Sequence, residues 1–399
     1  MKNPADNPYG KYSGNEAEYV LRMLSGEPAP NGQAWPQALE EAFSETVGAK
    51  YAIACNSGTS GLHAALFAAG VGPGDEVIGP ALTVVMDSYA ALHLGGVPVF
   101  ADVDPDTFNI DPADIERKIT PRTKVLLPVA LEGLSCDMDP IMALAERHGL
   151  KVVEDSAQTL LGIYKGKAAG TIGHLGVYSF ENKKHMTCGS EGGMIVSDDA
   201  ELATRARKFG GIGYKHMTAT AGRTHLAMST VQDPAYLRFD TVGLNYRMNE
   251  VSAAVGLAQI ERIRAKVDMR RKVAARFAAA VAGCEWIVPQ KTPEGCVNSY
   301  YTFAVKYYGG ERRGIPWKAF YDRYIAVGGD GFYGACMVPY LEPALRGKAF
   351  GSAVMQPGLC PIAEDLQSRI MQFKTNYRDF TVAEQKAEIL SDMIDAIGR

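Results

Sequence analysis

The chain has 399 residues, more than one compact core holds, which predicts two domains or one large domain with an appended lobe. With 47% hydrophobic and 22% charged residues it can build a sizeable core, and a net charge of −4 without a basic stripe argues against a nucleic-acid surface. The seven cysteines form no CxxC pair, the amino terminus is polar, and no apolar run reaches membrane-spanning length; these predict a cytoplasmic protein with reduced thiols, no metal site and no membrane contact.

From Tyr51 to Val196 short apolar runs alternate with helical patterns, the signature of a mostly parallel sheet covered by helices. Strands are predicted over Tyr51–Ala54, Glu76–Ile78, Val97–Ala101, Lys124–Pro128, Lys151–Glu154, Val177–Phe180 and Met194–Val196. Helices are predicted over Ser60–Ala69, Asp87–Leu94, Asp139–His148 and Ala200–Phe209, with turns at Gly72-Pro73-Gly74-Asp75 and Asp104-Pro105-Asp106. Asn249 suits an N-cap, and Ala253, Leu257, Ile260, Ile263 and Val267 predict one long helix running to about Cys284. A strand over Ser299–Lys306 and a final helix over Val382–Ile397 follow. The predicted division is a large domain, residues 1–265, and a smaller C-terminal α+β domain, residues 266–399, with residues 1–30 able to pack on the small one.

Four segments carry chemistry. In Ser179-Phe180-Glu181-Asn182-Lys183-Lys184 a strand ends at a hydroxyl, lysines follow, and a glycine-rich return leads through Gly189-Ser190-Glu191-Gly192-Gly193. A lysine amine there can form a Schiff base with a carbonyl-bearing cofactor while the serine hydroxyl helps hold a phosphate; spacing alone does not choose between Lys183 and Lys184. Asn56-Ser57-Gly58-Thr59-Ser60 follows a strand and opens a helix, where N–H groups and the helix dipole favour a phosphate; the same residues serve equally well as a helix cap. Val153-Glu154-Asp155-Ser156-Ala157-Gln158 ends a buried strand in carboxylates, placed to keep a pyridine nitrogen protonated, with Gln158 at the ring. Gly243-Leu244-Asn245-Tyr246-Arg247 offers an amide and a guanidinium to a phosphate or carboxylate.

In this order the segments resemble the DegT/DnrJ/EryC1/StrS family of sugar aminotransferases, and the likeness extends to Pro98–Asp111, Ile119–Lys124, Gly133–Asp139, Tyr164–Lys167 and Cys360–Glu364. The resemblance implies an α/β fold of type I, with a mostly parallel seven-stranded sheet between helices, and pyridoxal 5′-phosphate as cofactor, passing through its pyridoxamine form. It selects Lys184, four residues beyond Phe180, as the Schiff-base lysine. It further implies that Gly58, Thr59, Ser60 and Ser179 surround the phosphate, that Asp155 faces the pyridine nitrogen, and that Gln158 lies at the ring. Asn245 would reach the phosphate from the other subunit of a homodimer with shared active sites. The implied reaction moves an amino group from glutamate or glutamine to a keto sugar, nucleotide-linked, or to a related cyclitol. The competing readings are a pyridoxamine-phosphate-dependent keto-deoxysugar dehydratase, whose branch carries His at the lysine position, and a non-catalytic cofactor-binding regulatory protein.

The chain departs from the family pattern at several places. Ser190 lengthens the glycine return by one residue, Val84 stands where an aromatic commonly stacks on the cofactor, Glu132 replaces an aromatic in Val129–Gly133, and Glu181 follows Ser-Phe. Glu181, His185, Tyr214, Arg247 and Tyr333 are the candidate substrate contacts, with Lys215, His216 and Arg223 as further polar groups in the loops around them.

Overall fold

The computed structural model describes residues 9–222, 226–334, 337–351 and 353–399. Two helices precede the sheet, α1 (Glu16–Leu24) and α2 (Trp35–Val47); neither was expected from the sequence. The seven strands are β1 (Tyr51–Cys55), β2 (Glu76–Pro80), β3 (Val97–Ala101), β4 (Thr123–Leu126), β5 (Lys151–Asp155), β6 (Leu175–Ser179) and β7 (Gly193–Ser197). Their spatial order is β1-β7-β6-β5-β4-β2-β3, and only β7 runs antiparallel to its neighbours. All seven predicted strands are present within a few residues of their expected ends.

Side-chain alternation splits the sheet into two apolar faces. Ile53, Val177 and Ile195 pack towards α3 (Gly58–Ala68), α4 (Met86–His93) and α7 (Ala200–Gly210). Ala52, Tyr178, Met194 and Val196 face the opposite layer with Leu39 and Phe43 of α2; Ile78, Leu126 and Val152 meet α5 (Pro112–Lys118) and α6 (Met138–His148) on that side. Burial on both faces explains why the strands read as nearly continuous apolar runs.

The single long helix expected after Asn249 is two helices, α8 (Glu250–Ile260) and α9 (Ile263–Val281). Asn249 does cap α8, accepting the Ser252 N–H at 2.8 Å. No glycine or proline sits at the elbow; the amino-terminal segment holds it. The Tyr19 hydroxyl donates to Glu261 at 2.5 Å, the Asn15 amide donates to the same carboxylate at 2.9 Å, and buried Glu16 accepts from Arg262 and Gln259.

A second, three-stranded antiparallel sheet, β8 (Ile287–Pro289), β9 (Thr302–Tyr307) and β10 (Ile370–Lys374), packs with α9, α10 (Trp317–Ala326) and the last helix (Phe380–Ile397) around Phe277, Trp286, Phe320 and Phe373. β9 begins later than expected because the Ser299 and Tyr301 amides bond Gly133 and Glu132 carbonyls instead of the ladder. Val338, Tyr340, Cys360 and Ala363 return to the core of the large sheet. At the other end, α1 packs in the same apolar cluster as α8, while Tyr9 reaches the C-terminal core. The six described cysteines are free thiols; Cys336 lies outside the described residues. Among the described residues no helix is long and apolar enough to cross a membrane.

Candidate active site

The carboxyl ends of β1, β5 and β6 share one edge of the sheet, where open α/β folds place ligands. β1 runs into Ser57, whose hydroxyl accepts the Ser60 N–H at 3.0 Å in a reciprocal capping box that opens α3. The Ser60 hydroxyl also bonds Asn56 Oδ1 at 2.6 Å, so it serves the cap, whereas Thr59 is exposed. Gly58 lies against the end of β6: a Cβ there would stand 2.8 Å from Ser179 Cβ and 3.2 Å from its hydroxyl. A Cβ on Gly193 would meet the Ser57 carbonyl at 2.6 Å, which accounts for the glycine that ends the return loop. A helix N-terminus and a serine hydroxyl thus converge with no side chain between them, an anion cradle.

Asp155 ends β5 fully buried, and its Oδ1 accepts the Ala157 N–H at 2.8 Å. Burial raises its pKa, opposed by that N–H, by Lys184 and by Asp87. The two lysines diverge. The Lys183 amine lies 4.9 Å over the Tyr333 ring on the outside, while the Lys184 amine lies 4.7 Å over the Tyr301 ring and faces Asp155. Burial lowers the Lys184 pKa, with Asp155, Glu181 and Glu132 pulling it back up and Arg270 pushing it down. Buried Arg270 braces the loop from beneath, donating to the Lys183 and Lys184 carbonyls at 3.2 and 3.1 Å and to the Tyr301 carbonyl at 2.8 Å. Tyr301, Arg270 and Asp87 escaped sequence reasoning, because each joins the site through contacts distant in the chain.

The other predicted residues separate into those beside this constellation and those away from it. Gln158 accepts the Glu132 N–H at 2.9 Å, and Glu132, in the left-handed region at φ 59, is buried with Thr302 and Gln372 as donors. Glu181 accepts the Lys183 N–H at 2.9 Å, and Val84 is half-buried in the turn before α4. Tyr333, 46% exposed, pairs its backbone with Gln372. His185 turns inward: it is buried, its Nε2 bonds the Ser299 carbonyl at 3.1 Å, and burial holds its pKa well below the usual histidine range. Tyr214 packs on Phe239 with ring centroids 4.7 Å apart, and His216 stacks on Tyr236 with Lys215 over the same ring. Asn245 is exposed and accepts from Arg247 at 3.1 Å, in a loop whose Tyr246 carbonyl bonds the Asn56 N–H. Arg223 lies outside the described residues.

The model of the DegT/DnrJ/EryC1/StrS aminotransferase family matches residues 12–386. The chain belongs to this family. It is 42% identical to the GDP-perosamine synthase of Caulobacter vibrioides over 66% of this chain and 66% of that enzyme, so it spans about two thirds of that relative's length. It is 33% identical to the UDP-N-acetyl-3-dehydro-alpha-D-glucosamine 3-aminotransferase of Acidithiobacillus ferrooxidans over 84% of this chain and 82% of that enzyme. The aminotransferase structure from Psychrobacter cryohalolentis superposes with a TM-score of 0.81 at 29% identity, covering 96% of this chain and 97% of that one. The cofactor of DegT/DnrJ/EryC1/StrS aminotransferases is pyridoxal 5′-phosphate, and the donor set here fits it: a hydroxyl and helix N-terminus left open by Gly58, a buried carboxyl at Asp155, and a shielded amine at Lys184.

Proposed function

We propose that the protein transfers an amino group from glutamate or glutamine to a keto sugar, nucleotide-linked, or to a related cyclitol. The observation that carries this reading is the Lys184 amine over the Tyr301 ring and within electrostatic reach of the buried Asp155 carboxyl, on the sheet edge that also presents the Gly58–Ser179 cradle. When bound, pyridoxal phosphate supplies a carbonyl for amines and a ring that takes up electron density. The α3 N-terminus at Gly58 and Thr59 and the Ser179 hydroxyl would hold its phosphate, and Asp155 would hold the proton on its ring nitrogen. Gln158 would lie at the ring edge, and Val84 would cover a ring face by dispersion rather than by aromatic stacking. Lys184 would hold the carbonyl end of the cofactor, and its amine would serve as the base that moves a proton at the substrate carbon, a role its lowered pKa favours.

The GDP- and UDP-linked sugar names of the two relatives support a nucleotide-linked acceptor. Exposed Leu237, Val242, Leu244 and Val251 flank Asn245 and support a homodimer in which Asn245 completes the site of a second copy. Lys184 argues against the dehydratase reading, and its company with the buried Asp155 and the Gly58–Ser179 cradle against a purely regulatory role. Mixing the loaded protein with glutamate or glutamine should yield the corresponding keto acid and convert the cofactor absorbance. Lys184→Ala should lose both the bound chromophore and the conversion; covalent cofactor on that variant would move the role to another lysine.

A further inference from the structure

Asp87, the second residue of α4, is buried with its carboxyl against that of Asp155. Its Oδ2 accepts the Thr83 hydroxyl at 3.0 Å, while Oδ1 is sealed from solvent without a hydrogen-bond donor. Two ionised carboxyls are acceptors only, so a dry contact between them repels unless a proton lies between. The surroundings decide where that proton rests. Asp155 has the Ala157 N–H and the Lys184 amine to support a negative charge, whereas Asp87 has one neutral hydroxyl. The Cys136 thiol also lies within reach of the Asp155 charge, and burial keeps it neutral.

We propose that Asp87 is a positioning residue: a protonated carboxyl that donates to Asp155, keeping it ionised and aimed at the ring nitrogen of the bound cofactor. This rests on the assignment of Asp155 made under the proposed function. The donated hydrogen bond gives Asp87 Oδ1 its otherwise missing partner and limits the rotation of the Asp155 carboxylate. Burial first, and then the neighbouring Asp155 charge, hold the Asp87 carboxyl well above the usual carboxylate range, the direction that keeps the proton on it. Its loss at alkaline pH would set two negative charges in contact. An amide at this position would supply a comparable donor and could not ionise.

The test compares wild type, Asp87→Asn and Asp87→Ala, with thermal melts to confirm folding. In the cofactor-free protein at pH 7, the infrared difference spectrum of wild type minus D87N should show the C=O stretch of a protonated carboxyl, lost on alkaline titration. Absence of that band overturns the proposal. In the loaded protein, D87A should weaken cofactor binding about tenfold, and D87N should restore it while removing the alkaline transition in the cofactor absorbance. A folded D87N as weak as D87A overturns the proposal. A wild type that binds no cofactor at all sinks the Asp155 assignment itself, a failure that leaves the infrared band in place and is therefore distinguishable.

Discussion

The Lys184 amine lies 4.7 Å from the centroid of the Tyr301 ring, and that ring is itself fixed at both ends of its residue. The Tyr301 N–H donates to the Glu132 carbonyl at 3.0 Å, and its own carbonyl accepts from Arg270. A π-face over a shielded ammonium contributes about 0.5–2 kcal/mol. Tyr301→Phe keeps the face and should retain glutamate half-reaction rates within about threefold, whereas Tyr301→Ala should lose about tenfold or more. Single-turnover absorbance changes distinguish the two.

The charge around Lys184 predicts a pH shift. Condensation with a carbonyl needs the neutral amine, and Glu181 is one of three carboxylates that favour the ammonium form. Replacing it with glutamine removes negative charge and lowers the Lys184 pKa further. The acid limb of cofactor uptake by the empty Glu181→Gln protein should therefore move to lower pH than in wild type. Reconstitution rates followed by absorbance across the pH range check this; a shift to higher pH would count against Lys184 as the attacking amine.

Gly58 tests the cradle. A methyl group there meets Ser179 Cβ at 2.8 Å, a contact rooted in backbone on both sides. Gly58→Ala should cost about 1–3 kcal/mol of stability through overpacking and weaken cofactor binding about tenfold or more by displacing the Ser179 hydroxyl. Cofactor titration and thermal melting of the empty protein separate the two effects.

At the elbow between α8 and α9, Glu16 is buried and accepts from Arg262, Gln259 and the Gly14 N–H. Glu16→Ala should destabilise the fold by about 3 kcal/mol because it removes the carboxylate that balances the largely buried Arg262 guanidinium. Tyr19→Phe, which removes one hydrogen bond to Glu261, should cost about 1 kcal/mol. Urea unfolding curves provide both values.

Much of the site could be read in the chain because its parts sit at strand ends. Asp155 and Ser179 each close an apolar run, and Gly58 opens the helix after another, so locating the strands located them. Family spacing chose Lys184 over Lys183, and the structure gives a physical contrast between the two amines: one faces Asp155, the other an exposed tyrosine. The burial of His185 was not legible, because adjacency to Lys184 carries no information on direction; the loop turns, and the imidazole enters the interior. Glu132 was recognised as a departure from pattern, but its left-handed backbone and its bonds to Thr302 and Gln372 come from the C-terminal sheet.

The sequence by itself determined the seven strands, four of the helices that cover the sheet (α3, α4, α6 and α7) and the cap at Asn249, though not the short α5 between β3 and β4. Burial on both faces writes each strand as a local apolar run, and capping chemistry acts within one turn. Only the tertiary structure decided the break at Glu261–Arg262, which contains no helix breaker and is held by Asn15, Glu16 and Tyr19. The same holds for Tyr301 over Lys184 and for Asp87 against Asp155. Such contacts join segments far apart in the chain, and their energies come from burial, charge and shared protons that no local spacing encodes.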